Sequence, residues 1–403
     1  MKICIVTHTF PRFQGDTPAP FMENLAKALT DLGHNVFVLA PFDPKFDLNT
    51  KRKYKIVIYR YAPFDNWHTL GYSREFDFSK NLRFVSYLLA PLLLFFGLFS
   101  LVKLIKKERI DIVSAHWLIP SGFMAALATL ITRTPFTVTI PGSDVYLGRK
   151  NLLFRAVIAL TAKKASYVLA DNIHYLNQLI DLGIIPPKRK VIVYGSDVER
   201  FKLDQKDKEI LRKLGLKNET RIVLAVGRLV PKKGFIYLVQ AMPTVFKKFP
   251  DVRLLIVGDG IEREKLEKES KRLRISEMVT FAGTINYDEL SKYYNLGNVF
   301  VMPSVRDEQG NIDASPVAMM EAMACGMPVV ATKFSGSENF VVEGQTGFLV
   351  PEKSSRTIAS ALINLLSVDR NTMRNNVRKV AIEKFSTRVV AQKYTEIFRE
   401  LIQ

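Results

Sequence analysis

Two cysteines in 403 residues, at positions 4 and 325, leave no disulfide framework, and both stand in apolar segments that suit a reducing compartment. Histidine is also scarce. None of the five is spaced with a cysteine as metal ligands are, so no metal and no other cofactor is expected. No secretion leader is legible, because "KICIVTHTF" is a β-branched run after one lysine and predicts a first strand. Zinc-finger, aromatic RNA-binding and basic-zipper patterns are missing as well. Positive charge is what the chain has in excess, with 58 Lys and Arg against 39 Asp and Glu, a formal +19. That surplus calls for a phospholipid surface, nucleotide phosphates or nucleic acid, and nucleic acid fits least. The expected location is cytoplasmic, peripheral on the inner face of the membrane.

Residues 84–102, "FVSYLLAPLLLFFGLFSLV", carry no charge and are closed by Lys103, Lys106, Lys107 and Arg109. Their length permits a membrane span. "NVFVLAP" before them and "RIDIVSAHW" after them read as strands of one sheet, which a span would place on opposite sides of a bilayer. A buried or interfacial crossover helix is therefore favoured, with basic residues able to meet anionic lipid.

A chain this long exceeds one ordinary core, and 48% hydrophobic with 24% charged residues is globular. Seven strand-like runs alternate with helical stretches up to about residue 203. A charged segment, "DQKDKEILRKLGLKNET", then precedes a second series: "RIVLAVGR", "VRLLIVGDG", "MVTFAG", "NVFVMPS", "MPVVAT". Continuous apolar runs imply strands buried on both faces, hence parallel sheets. The expected fold is α/β, with two Rossmann-like doubly wound domains, 1–203 and 204–384, facing across a cleft. An amphipathic helix over 385–403 is expected to pack back on the first domain.

Three stretches carry the candidate chemistry. In "VGRLVPKKGF", Arg228 and Lys233 follow a strand and precede a helix, a placement suited to a diphosphate. In "VGDGIERE", Gly258 and Gly260 allow a tight turn, but the third glycine of a dinucleotide fingerprint is absent. In "NIDASPVAMMEAMACGMPVVAT", Ser315 reads as an N-cap, Pro316 as the first helical residue and Gly326 as the C-terminal stop. Glu321 is the lone carboxylate of that apolar helix and needs a partner. It lies about 7 Å of helix rise from an anion at the helix start, a phosphate-to-ribose offset. A core hydrogen bond or a ligand would satisfy it, and the residues alone leave both open. Met319, Met320 and Met323 read as core packing. His8, His116 and Trp117, at strand ends, would line an acceptor site or pack; His34 reads as a turn residue and His174 as a helix-start contact.

The segment "PSVRDEQGNIDASPVAMMEAMACGMPVVAT" resembles the signature of glycosyltransferase family 4, retaining enzymes of the GT-B fold. "FPRFQGDTPAPFMENLAKALTDLGHNV", "TIPGSDVYL", "YGSDVERF" and "GQTGFLVP" extend the resemblance over nearly the whole chain. It implies that Glu321 binds the nucleotide ribose and that Arg228 and Lys233 bind the donor diphosphate. Asp313 would hold donor-sugar hydroxyls, with Ala314, Ser315, Pro316 and Val317 lining sugar and phosphate. Gly283 and Thr284 would lie near the base, and Gly258 and Gly15 near the donor. His8, His116 and Asp144 would stand on the acceptor side. The implied partners are a nucleotide-sugar donor and a sugar or lipid-linked acceptor, with peripheral contact to an anionic membrane and no nucleic acid.

Three positions depart from the family pattern. Asp313 replaces a Glu, one methylene longer, which alters the expected sugar contacts. Pro141 stands where many members have a catalytic His, so Asp144 or His116 would take part of that role. Asp16 follows Gly15 where a second glycine is common, so a stiffer loop is expected. An inactive nucleotide-sugar binder, or a sugar-nucleotide epimerase of similar fold, are the alternatives these residues leave.

Overall fold

A computed structural model describes residues 1–16, 18–72, 84–142, 144–306, 312, 316–333, 336–368 and 370–403. The chain opens with β1 (Lys2–Val6), α1 (Pro20–Asp31), β2 (Asn35–Pro41), β3 (Lys55–Tyr59) and α2 (Phe84–Glu108). It continues through β4 (Ile112–His116), α3 (Phe123–Thr132), β5 (Phe136–Ile140), α4 (Asp144–Lys150) and α5 (Leu152–Lys164). β6 (Tyr167–Ala170), α6 (Ile173–Asp181) and β7 (Arg189–Val191) complete the first series. The second begins with α7 (Lys208–Lys213), β8 (Arg221–Val226), α8 (Phe235–Lys248), β9 (Val252–Val257) and α9 (Arg263–Arg272). β10 (Val279–Gly283), α10 (Tyr287–Leu296), β11 (Val299–Met302), α11 (Val317–Ala324) and β12 (Val329–Thr332) follow. β13 (Gly347–Val350), α12 (Ser355–Ser367), α13 (Arg370–Phe385) and α14 (Thr387–Ile402) end the chain.

These elements form two compact units, one of residues 1–194 with 387–403, the other of 195–386. The sequence places the divisions at 203/204 and 384/385, and the units divide at 194/195 and 386/387. The first unit holds a seven-stranded parallel sheet in the order β3-β2-β1-β4-β5-β6-β7. Its strands are buried on both faces because helices cover each side, which explains their unbroken apolar runs. On one face, Met22, Leu25 and Leu29 of α1 pack with Val390, Tyr394 and Phe398 of α14. His34, between α1 and β2, reaches the same helix through a 2.9 Å hydrogen bond to Thr395.

The second unit holds a six-stranded parallel sheet in the order β10-β9-β8-β11-β12-β13. Leu238, Met242 and Val245 of α8 pack with Ile358 and Leu362 of α12 over one face. β13 stands outside the strands expected from sequence, since its four residues are too short a run to separate from a loop. In each sheet the order reverses direction between the first and fourth strands of that sheet's series. β1 lies beside β4 and β8 beside β11, so the loops after these strands diverge and leave a crevice at the carboxyl ends.

Candidate functional site

The crevice of the second unit is bordered by the loops after β8 and β11. Gly227 leaves β8 at φ 153°, and Arg228 beside it is exposed. The Lys233 side chain folds back over Gly227: a Cβ added there would lie 3.3 Å from Lys233 Cε and 3.5 Å from Nζ. A 3-10 turn, Pro231–Lys233, brings the lysine back, and Gly234 at φ 64° turns the chain into α8. Gly234 has no substitute, because a Cβ would sit 2.1 Å from the Pro303 carbonyl oxygen. The Val305 amide donates to the Lys232 carbonyl at 2.9 Å, so the two bordering loops are tied together.

Gly258 supports this loop. Its amide donates to the Gly283 carbonyl at 2.8 Å, and a Cβ on it would fall 2.0 Å from the Gly227 carbonyl oxygen. The expected donor-side glycine thus has its own N–H engaged, for the reason that its backbone is what allows Gly227 to approach. Gly283 at φ 72° and the exposed Thr284 end β10 beside it, with open space over Gly283 save for Arg263.

α11 begins at Val317 with Pro316 as the residue before it, one position later than expected. Asp313, Ala314 and Ser315, singled out from sequence, lie outside the described residues. Gly326 at φ 75° ends the helix as expected. Its amide and that of Met327 donate to the Met323 and Ala322 carbonyls, the two bonds of a Schellman motif. Met319, Met320 and Met323 are fully buried.

Glu321 is 4% exposed and has a protein partner. The Tyr294 hydroxyl donates to its Oε2 at 2.8 Å. Tyr287, seven residues earlier on the same face of α10, also hydrogen-bonds the carboxyl group. Burial pushes the Glu321 carboxyl up to about 7. The tyrosine hydrogen bonds and the positive charges of Arg200 and Lys233 act in the opposite direction. Arg200 stacks at 4.9 Å on the Tyr287 ring and pairs with Asp288. Tyr287, Tyr294 and Arg200 escaped the sequence reading. The seven-residue spacing of the two tyrosines in "YDELSKYYNL" was the available signal, and nothing local says which helix they face.

The first unit's crevice lies after β1 and β4. His8 contacts Trp117 edge-on, their centroids 4.4 Å apart, and burial pushes its imidazole down to about 3. His116 is fully buried, its Nδ1 2.9 Å from the Tyr194 hydroxyl, and burial likewise pushes it down to about 3. His116 therefore packs inside the unit, the second of the two placements its strand-end position left open. The reason is its seat on a central strand between covering helices. Trp117, just beyond, is held at φ 70°, a backbone conformation costly for a side chain this large.

Gly15 turns at φ 79°, and Asp16 after it accepts from the Arg12 amide at 3.0 Å and from the Arg12 guanidinium at 2.7 and 3.0 Å. Arg12 also reaches Asp43 at 3.5 Å, and all three side chains are buried. Asp16, where a second glycine is common, is thus held in an ion-paired clasp with Arg12, which also pairs with Asp43. Asp144 opens α4, and its side chain lies outside the described residues. His174 lends its backbone N–H to the Asn172 side chain at 2.8 Å, a helix-start contact as expected. Among the described residues no group of three or more His, Cys, Asp or Glu is placed to hold a metal.

Two family models match this chain: Glycosyltransferase Family 4 over residues 20–200 and Glycosyl transferases group 1 over residues 206–383. The chain belongs to glycosyltransferase family 4. This glycosyltransferase is 26% identical to an uncharacterized glycosyltransferase of Methanocaldococcus jannaschii, over 99% of this chain and 98% of that one. It is 30% identical to the GDP-mannose-dependent α-(1-6)-phosphatidylinositol monomannoside mannosyltransferase of Mycolicibacterium smegmatis, over 50% of this chain and 54% of that one. Among solved structures, Anabaena HepE in complex with UDP and glucose matches with a TM-score of 0.73 at 21% identity, covering 99% of this chain and all of that one. The fold is thus that of GT-B glycosyltransferases.

Proposed function

We propose that this glycosyltransferase moves a hexose from a nucleoside diphosphate to a lipid-linked or sugar acceptor, with retention at the anomeric carbon and without a metal. The observation that carries the reading is that Arg228 and Lys233 share the loop after β8 at the switch point of the second unit, with Lys233 close enough to act electrostatically on the Glu321 carboxyl of α11. Arg228 and Lys233 supply positive charge for a departing diphosphate in place of a divalent ion. The α11 amides at Val317 and just beyond lie in the first turn, where N–H groups have no acceptor within their own helix, and would add to the same field. Glu321 Oε2 is occupied by Tyr294, which orients the carboxyl group so that its remaining acceptor capacity faces a ribose diol.

In the reaction, the bond from the anomeric carbon to the diphosphate oxygen breaks while the acceptor oxygen bonds to the same face of the sugar. The acceptor proton passes to the departing phosphate oxygen, so charge and atoms balance without a covalent glycosyl-enzyme. Preplaced cations lower this barrier because the negative charge they meet grows only as the bond breaks. The neighbour HepE is seen in complex with UDP and glucose, and the mannosyltransferase relative is GDP-mannose-dependent. That relative is a phosphatidylinositol monomannoside mannosyltransferase, which favours a membrane-borne acceptor here, and with it a peripheral site on the inner membrane face.

The test is thermal stabilisation by UDP, GDP, ADP, CMP and NAD with EDTA present, for wild type and Glu321→Ala. One nucleoside diphosphate at a hundredfold above its dissociation constant should add about 2.7 kcal/mol. That gain should vanish in the variant. Stabilisation by NAD alone, or by a diphosphate equally in both proteins, would sink the reading. Product NMR from a productive donor then reads the anomeric configuration, and turnover separates the enzyme from an inactive binder.

A further inference from the structure

Helix α2 is apolar on both of its sides, yet the protein covers only one. Leu89, Leu93, Leu101 and Leu104 are buried. Gly97 lies so near its neighbours that an added Cβ would meet Met124 Sδ at 2.4 Å and the Tyr59 ring at 3.1 Å. The inner side is therefore docked on α3 and on the β2–β3 edge of the first unit. On the outer side Leu88, Leu92, Phe95, Phe96 and Phe99 are between 40 and 65% exposed. Their spacing follows the helix repeat, so they make one continuous stripe. Exposed Lys103, Lys106 and Lys107 prolong it toward the C-terminal end. A helix apolar all round belongs in a core or in lipid, and a contiguous exposed stripe marks a contact.

We propose that the outer side of α2 docks this protein in the plane of an anionic lipid bilayer. The five apolar side chains enter the boundary between headgroups and acyl chains, and Lys103, Lys106 and Lys107 meet lipid phosphates. Charge complementarity selects this occupant. Residues 84–107 contain no acid, whereas a second copy of the chain would bring another +19 to the contact. The packed inner side selects the in-plane mode, because crossing the bilayer would strip α2 from its strands. Trp67 and Phe64 on the segment after β3 are also exposed, their rings packed edge-on, and are of the aromatic type that suits the interfacial zone. This inference adds a surface and an orientation to the membrane-borne acceptor proposed above and rests on it only for its biological purpose.

The experiment is flotation of the full chain with vesicles of two parts phosphatidylcholine to one part phosphatidylglycerol, at low and high salt. Wild type should float with these vesicles and not with phosphatidylcholine alone. Phe95→Asp/Phe99→Asp should lower vesicle binding about tenfold or more at either salt concentration. Lys103→Gln/Lys106→Gln/Lys107→Gln should weaken binding chiefly at low salt. Equal flotation of the Asp variant and wild type overturns the proposal, as does loss of a dimer with unchanged flotation. Should the Asp variant not fold, Phe99→Cys carrying an environment-sensitive dye replaces it, Cys4 and Cys325 being buried. Emission should shift to the blue on vesicle addition, and unchanged emission overturns the proposal. Nucleotide stabilisation, measured without vesicles, reports separately on the donor-site reading.

Discussion

The Tyr294 hydroxyl donates a 2.8 Å hydrogen bond to Glu321 Oε2, joining α10 to α11 across the intervening strand β11. This bond satisfies part of a buried carboxyl group and fixes where its other lone pairs point. Tyr294→Phe keeps the ring and its packing but removes the donor. A hydrogen bond to a charged group contributes about 1.5–3 kcal/mol, so nucleotide affinity should fall roughly tenfold to a hundredfold. Calorimetric titration with the stabilising nucleotide checks this, with circular dichroism to show the fold retained; undiminished affinity would remove Tyr294 from the site.

The Glu321 carboxyl is raised from 4.5 to about 7 by burial, so the folded protein holds this proton more tightly than the unfolded chain. Its contribution to stability is fully present below 4.5 and is lost as pH rises toward about 7. The swing is up to about 3 kcal/mol at 1.36 kcal/mol per pKa unit. Glu321→Gln should flatten that part of the stability profile in urea melts. Nucleotide affinity in wild type should rise over the same window, because an ionised carboxylate is the better acceptor for ribose hydroxyls.

Arg228→Ala and Lys233→Ala should each cut kcat/KM by about 10²–10³ while leaving the melting temperature of Arg228→Ala near that of wild type, since that side chain is exposed. Initial rates with the donor identified by thermal shift check the first part. Loss of rate without loss of nucleotide binding would place the cation on the transition state alone.

Gly258→Ala should lower stability by more than about 2 kcal/mol. The new methyl would press on the Gly227 carbonyl at 2.0 Å, at φ 130°, where alanine is strained. The displacement reaches the loop carrying Arg228, so donor affinity should fall with stability. Melting and nucleotide titration on one preparation read both.

The Arg12–Asp16–Asp43 clasp predicts that Asp16→Gly, which installs the residue common in the family, is destabilising here. It leaves Arg12 with Asp43 alone, and breaking a buried pair costs about 3–5 kcal/mol. The double change Arg12→Met/Asp16→Gly should recover part of that loss, as a thermal melt would read.

The architecture was legible in the order of residues: unbroken β-branched runs between helical stretches require strands covered on both faces, and two such series in one chain require two parallel sheets. The end of α11 was legible too, because only a residue tolerant of positive φ closes a Schellman turn at Gly326. These features are local, carried by backbone preference and by the repeat of apolar positions. Tertiary structure alone decided that Tyr294, 27 positions from Glu321, is its partner. It also made Gly258 a prop for Gly227, sank His116 into the first unit and left α2 covered on one side only. Each of these outcomes depends on which elements become neighbours when the sheets assemble. A strand or helix pattern says that a face must be buried; the strand order says against what.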